Sequence, residues 1–186
     1  MKTMTFTPIR TLLARFKRED SGVAMYEFAI VMPFLFAAWL GVAAVADSQQ
    51  VSTKVSRVTQ TVADIIAQSA TVNSTRANTA FQAIDAMLDP TNAAKMQLYV
   101  AGLEIDNNGR AKVKWSYAKR GPKPGVGSTY TLPPTLRSSS AVDFVVVAKG
   151  SLKYKPIFGD NLIDEHTMVY EHLFSPRVSD DISVGS

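Results

Sequence analysis

Residues 21–46 read SGVAMYEFAIVMPFLFAAWLGVAAVA. From Phe28 to Ala46 no charged side chain interrupts the run, and these nineteen residues, at the α-helical rise of 1.5 Å, reach about 28 Å, close to the hydrocarbon thickness of a bilayer. The stretch therefore predicts one membrane-spanning helix carrying Phe28, Pro33, Trp39 and Ala46. Glu27 stands at its mouth. A carboxylate at the edge of an apolar run is costly unless it finds a partner, which makes Glu27 a candidate functional residue. Pro33 removes one backbone donor and predicts a kink, which membrane helices tolerate.

Beyond the run the helical pattern continues. Val51, Val55, Val58, Val62 and Ile66 recur at spacings of four, three, four and four, with Ile65 widening the stripe. Gln49, Gln50, Lys54, Arg57, Gln60 and Asp64 make the other face polar. This is an amphipathic helix with one apolar side. No proline and no glycine lies between Gly41 and Pro90, so the span and the amphipathic segment can form a single helix of about 42 residues, roughly 63 Å long.

The period changes further on. Asn73 or Ser74 can cap a shorter helix through Ala80, Phe81, Ile84, Met87 and Leu88, closing near Pro90. Residues 96–105 and 111–117 then alternate on either side of Asp106-Asn107-Asn108-Gly109, and an Asn-Gly turn between alternating runs predicts a β-hairpin. The valine-rich run 141–148 fits a strand buried on both faces, with further strands at 152–156 and 167–174. The expected fold is α+β: a long N-terminal transmembrane and amphipathic helix packed on a small antiparallel sheet, with one short extra helix.

At 186 residues the chain has room for an anchor and one modest domain. It contains no cysteine, so neither disulfides nor thiolate sites are available. The net charge of +4 is uneven: Lys2, Arg10, Arg15, Lys17 and Arg18 precede the span against Glu19 and Asp20, while the rest is nearly neutral. Such a distribution places the N-terminus in the cytoplasm by the positive-inside rule and leaves little support for a nucleic-acid partner. Within the leader Ile9, Leu12, Leu13 and Phe16 share one helical face among the cations, a pattern for a basic amphipathic helix or simply a positive flank; a transit peptide has the same cations but does not explain the span.

Gly22, four intervening residues and then Glu27-Phe28, at the head of an apolar helix, resemble the processing site of type IV prepilin-like proteins. The match narrows to the TadE-like pseudopilins of tight-adherence (Tad/Flp) pilus systems on several stretches: Arg18-Glu19-Asp20-Ser21-Gly22, Pro33, Ala63-Asp64-Ile65-Ile66-Ala67-Gln68, Leu103 to Ser116 around the Asn-Gly turn, and Phe174-Ser175-Pro176-Arg177. The resemblance implies a leader over 1–22, a membrane helix over 23–46, its amphipathic extension over 47–70 and an extracytoplasmic α+β domain over 71–186. It also implies cleavage after Gly22 by a prepilin peptidase, a mature N-terminus at Val23, and a role for Glu27 and Phe28 in assembly. The expected setting is the bacterial inner membrane, single pass, with the domain in the periplasm. Membrane lipid, other pilin or pseudopilin subunits and the Tad inner-membrane machinery are the expected partners.

Two other outcomes remain open on the residues themselves. Ala44-Val45-Ala46 before Asp47 has the A-x-A form of a secretory cleavage site, which would release a soluble binding protein or adhesin, and an uncut anchor bearing a scaffold domain is the third. No enzyme is expected. His166 and His172 fall on one side of a strand about 20 Å apart, too far to share a metal. Asp106 to Asn108 lack the later ligands of a calcium loop, and the glycines of 121–129 lack the Gly-Lys-Ser/Thr ending of a phosphate loop. Neither metal nor cofactor is therefore assigned. The segment 121–140 is expected to be a long loop, and Asp180 and Asp181 a solvated tail.

Overall fold

The structure is a computed structural model and describes residues 20–106, 108–133, 143–156 and 165–185. The leader helix expected around Ile9–Phe16, Asn107 of the turn, and positions 134–142 lie outside the described residues. The chain divides into two compact units, Met1–Val45 and Ala46–Ser186. Helix α1, Asp20–Ala67, contributes to both and runs without interruption through Pro33. In the first unit large apolar side chains are exposed along the helix, from 42% at Met32 to 73% at Met25 and Phe34.

In the second unit the character of α1 reverses. Val55, Val58, Val62 and Ile66 are fully buried, and so are Thr59, Ala63 and Ala67 on the adjoining i, i+4 row, whereas Ile65 is 39% exposed. The widening of the stripe thus falls on small residues rather than on Ile65. Small side chains let the helix approach the sheet closely: a Cβ added at Gly150 would collide with Oγ1 of Thr59, which itself donates to the carbonyl of Val55 at 2.8 Å.

The remaining elements follow in order: β1 Thr71–Val72, α2 Ser74–Met87, α3 Pro90–Lys95, β2 Gln97–Ile105, β3 Ala111–Lys119, β4 Thr129–Tyr130, β5 Phe144–Tyr154, β6 His166–Phe174 and β7 Ser183–Val184. Five strands form one antiparallel sheet in the order β4-β3-β2-β5-β6. The fold is α+β, with the α1 helix on one face of this sheet. Leu98, Val100, Trp115, Phe144, Val146, Ala148 and Leu152 meet the α1 stripe, and Phe81 and Ile84 of α2 complete that core. A smaller core on the other face joins Ala101, Leu103, Ile105, Val113, Val145 and Val147. β5 is therefore buried on both sides, as its valine run predicts.

Asn73 caps α2, its Oδ1 accepting the amide of Arg76 at 2.9 Å. Pro90 ends one helix and opens the next: Asp89 accepts from Asn92 N at 3.0 Å and proline stands in the first turn of α3, where its missing donor costs nothing. Burial raises the Asp89 carboxyl, and the hydrogen bonds from Asn92 more than offset it, so the group ends below the ordinary range. Asp106 closes the hairpin by accepting the amides of Asn108 and Arg110 at 2.9 and 2.8 Å, which occupies its carboxylate within the turn. Gly109 supplies the positive φ, 71°.

Two features depart from a simple reading of alternation. Gly102 pairs with Trp115 but Leu103 pairs with Val113, so Lys114 is an extra, bulged residue. Ala111 and Val113 consequently face the smaller core while Trp115 and Tyr117 face α1. The glycine-rich segment after β3 is also tied down rather than loose. Gly127 donates its amide to the Val113 carbonyl at 2.7 Å, the Val113 amide donates to the Ser128 carbonyl at 3.0 Å, and Ser116 Oγ donates to Pro124 O at 2.7 Å.

The C-terminal segment is not a solvated tail. Ile182 is fully buried, its carbonyl accepts Trp115 Nε1 at 2.8 Å, and Asp181 pairs with Lys114 at 2.7 Å. β7 runs parallel to β1. Arg177 donates its amide to the Ala67 carbonyl at 2.9 Å and sets its guanidinium 2.9 Å from Asp64, so the otherwise orphaned end of α1 is capped from a distant part of the chain.

A polar ladder fixes the start of the buried half of α1. Tyr154 Oη donates to Asp47, Ser52 bonds the Tyr170 hydroxyl, and Ser56 Oγ lies 3.1 Å from His172 Nε2. Burial, then the bond to Asp47, pushes the Tyr154 phenol up to about 12. In the unfolded chain it ionises near 10. Below pH 10 both states are protonated and the contribution is intact; between 10 and about 12 only the unfolded phenol ionises, so stability falls across that window. Urea titrations at pH 9 and pH 11.5 should show a loss on the order of 2 kcal/mol from this group, and Tyr154→Phe should remove that part, leaving the part due to Tyr130, whose phenol burial also raises.

Candidate functional site at the start of the apolar helix

All seven residues singled out in the sequence lie on α1. Gly22 and Val23 are helical in backbone. Val23 and Glu27 are four residues apart and so share a helix face about 6 Å apart along the axis. Helical side chains lean toward the N-terminus, which directs the Glu27 carboxylate toward the Val23 turn. Glu27 is exposed, and no ion pair to it forms among the described residues. Phe28, 59% exposed, begins the apolar surface directly after it.

Met25 through Val45 then present apolar side chains all around the helix. The segment belongs to a helix whose most apolar 18-residue window has a mean hydropathy of 2.3, long and apolar enough to cross a membrane, with only 6% of that window buried. A helix apolar on every side needs an apolar solvent. A signal sequence would meet the same description. Trp39 leans on Phe36, ring centroids 5.8 Å apart. Pro33 breaks no turn; with Ala29, Met32, Phe36, Ala37 and Leu40 it lines a shallow apolar groove on the helix surface. Ala46 and Asp47 are joined by a helical peptide, so the A-x-A bond lies inside α1.

The histidines do not meet. His172 faces Ser56, while His166 stands edge-on to Tyr154 at 5.5 Å. No cluster of three or more histidine, aspartate or glutamate side chains suited to a metal occurs among the described residues. The ladder of Asp47, Ser52 and Ser56 escaped the sequence reading, because polar residues at those positions read as a wet helix face. The regular gap of about one turn between 52 and 56 was its only signal. Comparison of the chain with family models, with curated proteins and with solved structures finds no match.

Proposed function

We propose that this chain is a minor, TadE-like pseudopilin component of Tad/Flp pilus assembly. In this reading 1–22 is a cytoplasmic leader removed after Gly22 by a prepilin peptidase. Residues 23–46 hold the mature chain in the bacterial inner membrane, and 71–186 form its periplasmic domain, with 47–70 as the stem. The observation that carries the reading is the change of character along α1: a carboxylate at Glu27 without a counter-ion among the described residues, then an exposed apolar surface, then a core-buried stripe in one unbroken helix.

Cleavage after Gly22 would create a cationic amino group at Val23. Glu27 of the same chain or of a neighbouring subunit would then find the opposite charge that its position lacks, and scarcity of water strengthens that attraction. Assembly partners would be other pilin or pseudopilin subunits and the Tad membrane machinery. Release after Ala46 is the second reading, favoured by the unit boundary at Val45–Ala46.

The N-terminal residue of the protein purified from its native cell separates these outcomes. Val23 is expected. Asp47 would establish secretory release and Met1 an uncut anchor; either result overturns the pseudopilin reading.

A further inference from the structure

On the sheet face turned away from α1, beside the β2 start and the β5 end, lies an open groove of about 530 Å³. Lys95 at the end of α3, Arg120 after β3 and Lys153 on β5 line it, together with Ser151, Thr167 and a single carboxylate, Glu165. Among the described residues the lining carries two more positive charges than negative ones. Elsewhere in the domain Lys114, Lys119, Lys149 and Arg177 are paired with Asp181, Asp85, Glu171 and Asp64. Arg120 donates Nη1 to the backbone carbonyls of Ala93 and Met96, which aims its guanidinium, while the carboxylate that feels its charge, Asp85, is already paired with Lys119. Its own backbone takes a φ of 56°, so the chain turns sharply to deliver this side chain.

The position of the groove selects the ligand. Tyr154, the neighbour of Lys153, is hydrogen-bonded to Asp47, the first residue after the apolar run. Ser151 and Lys153 therefore stand at the end of the sheet that meets Asp47, on its opposite face. We propose that the groove binds the phosphate of an anionic phospholipid, Lys95, Arg120 and Lys153 supplying the charge and the Ser151 and Thr167 hydroxyls the hydrogen bonds. Such a contact would fix the rotation of the domain over the lipid surface. The inference rests on the reading of 23–46 as a membrane anchor.

The test uses the full chain in neutral detergent micelles doped with phosphatidylglycerol or phosphatidylcholine, with retained lipid counted by native mass spectrometry. Phosphatidylglycerol should be retained at least tenfold better. Lys95→Gln with Lys153→Gln should weaken its retention roughly twentyfold, about fivefold for each lysine near an anionic surface. Arg110→Gln with Lys112→Gln, the same charge change at the far end of the β2–β3 hairpin, should leave it intact, and millimolar inorganic phosphate should not displace the lipid. Equal retention of both lipids, equal loss in both double variants, or displacement by phosphate overturns the proposal. A chain that leaves native membranes in alkaline carbonate overturns the anchor as well; one that stays but shows no lipid preference overturns the groove alone.

Discussion

Gly102→Ala is expected to lower the melting temperature of the unit Ala46–Ser186 by about 10 °C. A Cβ at this position would collide with Cε2 of Trp115 and stand 2.6 Å from Cζ of Phe144. Both rings are buried, and Trp115 is held in place by the bond from its Nε1 to Ile182 O. Neither ring has a free direction in which to retreat. Overpacking of this kind costs about 1–3 kcal/mol, and displacing the indole breaks a buried hydrogen bond worth about 1 kcal/mol more. For a domain of this size each kcal/mol moves the midpoint by about 3–5 °C. The C-terminal segment should loosen along with the indole. Near-ultraviolet circular dichroism of the full chain reads both the midpoint and the tryptophan environment. A shift under 2 °C would mean that the rings do not meet the β2 backbone as described.

Gly22→Val should abolish removal of the leader. A peptidase must draw its scissile segment out of helical form, and glycine makes that local opening easier by about 1 kcal/mol relative to alanine. Valine adds a branched side chain at the bond itself. On the proposed function the variant from native cells keeps an intact N-terminus and the mass of the whole leader. Glu27→Ala separates the two roles of the site: the chain should still be inserted and cut, and it should lose most of its co-purification with other pilus subunits. A Gly22→Val chain with the mature wild-type mass would remove the processing claim, and undiminished co-purification of Glu27→Ala would remove the pairing claim.

The valine stripe and the Asn-Gly hairpin could be read from sequence because each is a local periodicity, and packing did not override it. The bulge at Lys114 could not. Ala111, Val113, Trp115 and Tyr117 alternate without a break, and only the pairing of Gly102 with Trp115 and Leu103 with Val113 shows that the faces exchange between them. β1 and β7 are two residues each, too short to leave a pattern, and their pairing joins positions over a hundred residues apart. Asp181 looked like a solvated acid because its partner, Lys114, is distant in sequence. At the candidate site the spacing of Gly22 and Glu27 was visible, whereas no ion pair to Glu27 forms among the described residues that would show what its carboxylate meets.

The capping of α1 by Arg177, with β7 laid beside β1, carries a consequence for biogenesis. The carbonyl of Ala67 and the strand edge at Thr71 receive their partners only from positions 177 and 183. A ribosome delivers those partners last, and a closure across so many residues is slow to form. The unit therefore cannot complete its native pairing until residue 183 has been made, and until then the end of α1 and the edge of β1 stand without these partners.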